Sequence, residues 1–169
     1  MPDARRQILE ELQRLTGPQA ALLHHLVELG LIGVTEVETL IDQLARDRFE
    51  KAQLYLKFAR RLDPRLDIDQ PHIISRSYYA MYHAARAVVF HTRRADVDDH
   101  EKLATMFTQV AGGLWGMKLD EWRKMRNRVE YSPYLPADLV DICSRALEDG
   151  EGLLGFCEEY LRKREVSSV

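Results

Sequence analysis

Apolar residues spaced three and four apart recur along nearly the whole chain, and no stretch alternates as a half-buried strand would. Ile8, Leu9, Leu12 and Leu15 share one side of a helix over 3–15, which Gly17-Pro18 breaks. A second short helix over 18–29 is closed by Gly30 and Gly33. Thr35 and Glu38 have the hydroxyl-to-carboxylate spacing of a capping box. They open a long helix to about residue 62, with Leu40, Ile41, Leu44, Phe49, Leu54, Leu56 and Phe58 as its apolar positions, and Asp63-Pro64 ends it. Pro71 suits the first turn of a helix over 71–93. Asp98 and Glu101 cap a helix over 99–111, and Gly112-Gly113 with Gly116 reads as a turn. A helix over 118–130 stops before Pro133, and Pro136 starts a last long helix whose tail, from Lys163 to Val169, is expected to fray.

Long helices joined by short loops predict an all-α fold, an up-and-down helical bundle of four to five core helices. The bundle is placed at 34–165, with residues 1–33 as an N-terminal helical hairpin extension. The length of 169 residues suits one domain, and 46% hydrophobic with 30% charged residues can fill a core and solvate a surface. The hairpin imitates a helix-turn-helix, but no basic recognition face follows Gly30. A net charge of -3 argues against nonspecific coating of a phosphate backbone and leaves room for a local basic patch. No apolar run reaches the roughly 20 residues of a membrane span, so the cytoplasm is the expected compartment and no membrane partner is expected. Cys143 and Cys157 fall in one helix about 21 Å apart, too far to bridge, and read as reduced core thiols.

Two segments carry chemistry. In the first, Ile74, Tyr78, Met81, Ala85 and Val88 form a core stripe at about 100° per residue. A second stripe, Tyr79, His83, Arg86 and Phe90, mixes aromatic, ionisable and cationic groups. It reads either as a packing interface with polar tips in water or as a groove where Tyr79 and His83 meet a ligand.

In the second segment, Leu119, Trp122, Arg126 and Val129 share one face, which sets Arg126 in an apolar stripe where an unpaired charge is expensive. Glu130, one turn on, is its local partner, and Asn127 and Tyr131 make a parallel pair at the same spacing. Arg123, Lys124, Arg126 and Arg128 make the stretch basic within an acidic chain, and a guanidinium fork suits phosphate. A structural Arg–Glu pair on a solvated helix is the plainer alternative.

Taken together, Ser77-Tyr78-Tyr79-Ala80-Met81-Tyr82-His83-Ala84-Ala85-Arg86, the polar loop before Asp99-His100-Glu101-Lys102, and Arg126-Asn127-Arg128-Val129-Glu130-Tyr131 resemble the HEPN family in order and spacing, over about residues 36–165. The resemblance implies a helical bundle acting as a homodimer, nucleotide or RNA as ligand, and a minimal nucleotidyltransferase as partner in a toxin–antitoxin-like pair. Active members of that family are metal-independent ribonucleases whose arginine holds phosphate and whose histidine, a few residues on, assists proton transfer. Here Arg126-Asn127 matches the start of that motif, but Tyr131, Ser132 and Pro133 stand where the histidine belongs. Tyrosine, with an ordinary pKa near 10, is a weak base at neutral pH.

The expectation is therefore a binding module, with no catalytic residue assigned and a phosphate or nucleotide groove lined by Arg126, Asn127, Glu130, Tyr131, Tyr79 and His83. No metal ligand spacing and no cofactor motif are present: the six histidines show no His-x-x-x-His, and there is no Cys-x-x-Cys. Asp96, Asp98 and Asp99 could bind a cation weakly, but helix capping is the preferred reading. The competing readings are a ribonuclease toxin with a nonstandard base, such as His83 or His100, and a purely structural dimer.

Overall fold

The computed structural model describes residues 2–166. Seven helices follow in order: α1 (Pro2–Leu12), α2 (Gly17–Glu28), α3 (Val34–Ala59), α4 (Gln70–Arg93), α5 (His100–Ala111), α6 (Gly113–Tyr131) and α7 (Leu139–Val166). No strand occurs among the described residues. The fold is an all-α helical bundle. No helix of the described residues is long and apolar enough to cross a membrane.

The central element is α4, which packs against α3, α5, α6 and α7. Its core stripe of Ile74, Tyr78, Met81, Ala85 and Val88 is fully buried. Ala80, Ala84, Ala85 and Ala87 are buried too, and their small side chains let neighbouring helices approach from several directions.

Cross-helix contacts give the directions. Arg76 meets Phe58 and Arg48 meets Phe90, so α3 and α4 are antiparallel. Trp122 reaches Asp149 on α7, and Thr108 on α5 abuts Gly116 on α6. One step departs from alternation: Tyr78 meets His100 while Arg93 meets Gln109, so α4 and α5 run parallel. Residues 94–99 make this possible by running back along α4, where the Tyr82 hydroxyl donates to the Asp98 carbonyl at 2.8 Å.

Several helix ends differ from the sequence expectation. The N-cap of α3 is Gly33, two residues before Thr35, whose side chain lies outside the described residues, as does that of Glu36. At its other end α3 stops at Ala59, and three-residue hydrogen bonds, Arg61 to Phe58 and Leu62 to Ala59, tighten the exit. For α5 the cap is Asp99 and not Asp98: the Asp99 carboxylate accepts from the backbone of Glu101 (2.9 Å) and Lys102 (2.7 Å). The last helix begins at Leu139, beyond Pro136, and remains helical to Val166; residues 167–169 lie outside the described residues.

The largest correction concerns Gly116. It belongs to α6, not to a turn, and of Gly112, Gly113 and Gly116 only Gly112, at φ 98°, has the left-handed geometry of one. A Cβ at Gly116 would overlap Thr108 Oγ1 and stand 3.0 Å from the Thr108 backbone, so glycine there permits close packing of α5 on α6. Composition alone does not separate a glycine that turns the chain from one that admits a neighbour.

The two N-terminal helices sit apart from the main core. Leu9 and Leu12 of α1 pack on a small separate cluster of Ile41, Leu44 and Phe90. Polar contacts fasten the connection between α1 and α2: Arg48 Nη2 donates to the Gln13 carbonyl at 2.8 Å, and the Asp96 amide donates to the Leu15 carbonyl at 2.8 Å. Both cysteines lie in α7 as free, buried thiols. Burial raises the Cys143 pKa to about 11 and holds that of Cys157 well above the ordinary thiol value.

Candidate functional site

The site forms where the start of α4 lies antiparallel to the end of α6. Ser75 and Tyr79 are one turn apart on α4, and Arg126 and Glu130 are one turn apart on α6. The two pairs face each other in register. Ser75 Oγ donates to Glu130 Oε1 at 2.8 Å, and Arg126 Nη2 donates to the Tyr79 hydroxyl at 2.6 Å. Arg126 Nη1 donates to Asn127 Oδ1 at 2.8 Å and lies 3.3 Å from Glu130 Oε2.

The Arg126 side chain is only 11% exposed. Its neighbours Leu119, Trp122 and Val129 are buried, so the cation sits in an apolar stripe. Aromatic faces add to its surroundings: the guanidinium carbon is 5.6 Å from the Tyr78 ring centroid, 5.1 Å from Tyr79 and 6.0 Å from Tyr131. Arg126 Nε is buried with no hydrogen-bond partner among the described residues. Burial works against the charged form, but the oxygens of Tyr79, Glu130 and Tyr131 outweigh it and raise the pKa above its ordinary value.

The six expected residues are not equivalent. Tyr79, Arg126, Asn127 and Glu130 are joined by the contacts above. Tyr131 stands at the edge, 75% exposed, with its ring at the outer limit of a cation–π approach to Arg126. His83 is inside the protein at 7% exposure, stacked on Tyr55 of α3 at 5.3 Å and edge-on to Tyr82 at 5.2 Å. Helix α3 therefore covers the second stripe of α4. Tyr55 lies over Tyr79 and His83, Phe90 is fully buried under Arg48, and Arg86 pairs with Asp96.

The two candidate histidine bases differ in accessibility. His83 Nδ1 is buried without a partner among the described residues. Burial first, then the positive charges of Lys51, Arg86 and Arg48, push its pKa down to about 3. It stays neutral and sealed at neutral pH. His100, at the start of α5, is half-buried; it stacks on Tyr82 at 4.2 Å, and its Nδ1 meets the Tyr78 hydroxyl at 2.5 Å. Burial and then Arg126 lower its pKa, which favours a neutral imidazole beside the arginine.

Sequence reasoning misses Tyr55, Ser75 and Arg76. Ser75 does carry a signal: it precedes Tyr79 by four residues, just as Arg126 precedes Glu130. Tyr55 carries none, since its role depends on which face of α3 meets α4. Of the three loop aspartates, Asp99 caps α5, whereas Asp96 binds Arg48 at 2.9 Å and also Arg86. Among the described residues no group of three or more His, Cys, Asp or Glu is arranged to hold a metal ion. Compared with protein-family models, with curated proteins and with solved structures, the chain gives no match.

Proposed function

We propose that the chain is a HEPN-like module that binds the phosphate of a nucleotide or RNA at the junction of α4 and α6. The observation that carries this reading is the fixed guanidinium of Arg126. Tyr79, Asn127 and Glu130 hold it in one orientation. A cation oriented before binding loses little freedom when an anion arrives. Arg128, with no ion-pair partner among the described residues, adds exposed positive charge at the same helix end, where the helix dipole favours cations. By its resemblance to the family the module works as a homodimer alongside a minimal nucleotidyltransferase, in a toxin–antitoxin-like pair.

The test is a calorimetric titration of the purified chain with inorganic phosphate, AMP and short RNA, repeated on Arg126→Lys. Lysine keeps the charge and removes the fork, so binding falls about tenfold or more, and urea denaturation in parallel establishes that the variant is folded at the titration temperature. Absence of any binding in the unaltered chain would remove the reading. If Arg126→Ala instead abolished dimer mass without affecting any ligand, the purely structural dimer would take its place.

One observation favours a second reading, a metal-independent ribonuclease. His100 comes from another helix to stand within the Arg126–Tyr78 cluster in neutral form. RNA cleavage that disappears in both Arg126→Lys and His100→Gln would support it, and intact RNA after prolonged incubation would eliminate it.

A further inference from the structure

Lys51, Leu54, Tyr55 and Phe58 fall on one face of α3 at helical spacing, and Arg76 of α4 closes the other side. The five enclose an open depression of about 400 Å³, within the size range of small-ligand sites. Leu54 is 65% exposed and Phe58 47%, large apolar groups left facing water. The Arg76 guanidinium lies 5.6 Å from the ring centroids of both Tyr55 and Phe58.

The charged residues that line this depression are both cations. Among the described residues neither Arg76 nor Lys51 has a carboxylate within ion-pair distance, and no acidic residue lines the space. Arg60, half a turn past Phe58, is by contrast paired with Glu151 at 2.5 Å. Two uncompensated cations around two aromatic rings complement a ligand that has a flat π-face and a negative charge.

We infer that this depression takes the base of a single-stranded RNA nucleotide, stacked among Tyr55, Phe58 and the Arg76 guanidinium, with Arg76 and Lys51 meeting the adjoining phosphates. The inference rests on the phosphate-binding reading and adds the place of the base. Side-chain contacts link the two subsites. Ser75, next to Arg76, is bonded to Glu130, and Tyr55 stacks at 5.6 Å on Tyr79, which accepts from Arg126. Backbone phosphate is thus held on the α6 side of α4 and the base on the α3 side. Stacking of this kind tolerates any base, since every base has a π-face.

The experiment measures fluorescence anisotropy of labelled single-stranded RNA of about ten nucleotides, with inorganic phosphate affinity measured in parallel. Phe58→Ala weakens RNA binding about tenfold, leaves phosphate affinity unchanged, and leaves melting unchanged because the ring is half exposed. Arg76→Glu weakens RNA binding further. Wild-type RNA affinity in both variants, with loss in Arg126→Lys, overturns this inference and spares the phosphate reading. No RNA or phosphate binding by the unaltered chain overturns both. An acidic amphipathic peptide that shifts the NMR signals of Leu54 and Phe58, while RNA does not, overturns it in favour of a protein partner.

Discussion

Arg126 on α6 and Tyr79 on α4 are joined at 2.6 Å, and one turn away Glu130 and Ser75 are joined at 2.8 Å. The two bonds fix the antiparallel register of the helices, because a slip of one residue would break both. Hydrogen bonds to charged groups contribute about 1.5–3 kcal/mol each. Tyr79→Phe is therefore expected to lower unfolding free energy by about 2 kcal/mol, measured by urea denaturation. A double-mutant cycle of Tyr79→Phe with Arg126→Met should show coupling of about 1 kcal/mol or more. Simple additivity would mean the two side chains contribute independently.

That register also marks the boundary of what the sequence reveals. The spacing of Arg126 and Glu130, and the apolar stripe around Arg126, can be read from one helix at a time. So can the all-α class and the core stripe of α4. The partner of Arg126 on another helix cannot, since it depends on which faces meet after the loop at 94–99 turns α5 parallel to α4. For the same reason Tyr79 and His83 look like one groove in the sequence. Both lie on one stripe, but α3 lays Tyr55 across them and leaves His83 inside.

Burial of His83 gives the fold a pH dependence with a definite sign. The ordinary pKa is 6.5 and the folded value about 3, so between these values the unfolded chain binds the proton and the folded chain does not. Stability is unaffected well above pH 6.5 and falls as pH drops below it, reaching its full loss only below about 3. Between pH 7 and pH 5 the loss from this residue is about 2 kcal/mol. His100, also lowered by burial, acts in the same direction. Urea titrations at the two pH values should show a smaller drop for His83→Gln than for the unaltered chain. Equal drops would place the charged imidazole in contact with water.

Gly116 gives a packing prediction. Alanine there meets both the side chain and the backbone of Thr108, and no rotamer change relieves the 3.0 Å approach to the backbone. Gly116→Ala is expected to lower stability by about 1–3 kcal/mol despite its better helix propensity. Thr108→Gly in the same chain should recover part of the loss, and a melting series over the two single variants and the double measures it. A neutral or stabilising Gly116→Ala would show that α5 and α6 can move apart to admit a methyl group at little cost.

Asp96 secures the N-terminal helices by compensating two buried cations at once. Its carboxylate takes Arg86 Nε at 2.8 Å and Arg48 Nη2 at 2.9 Å, while its amide holds the Leu15 carbonyl at 2.8 Å. Burial already lowers the Arg48 pKa to about 10 even with Asp96 beside it. Asp96→Asn removes the ion-pair partner of both guanidiniums, a defect of about 3–5 kcal/mol. Arg48 also holds the Gln13 carbonyl, so its displacement loosens the connection between α1 and α2 before the main core opens. Limited trypsin digestion followed by mass spectrometry should show early cleavage after Arg14 in Asp96→Asn and slow cleavage in the unaltered chain. Equal protection at Arg14 would mean that the apolar packing of Leu9 and Leu12 suffices to hold the N-terminal helices, and that the aspartate contributes to the bundle alone.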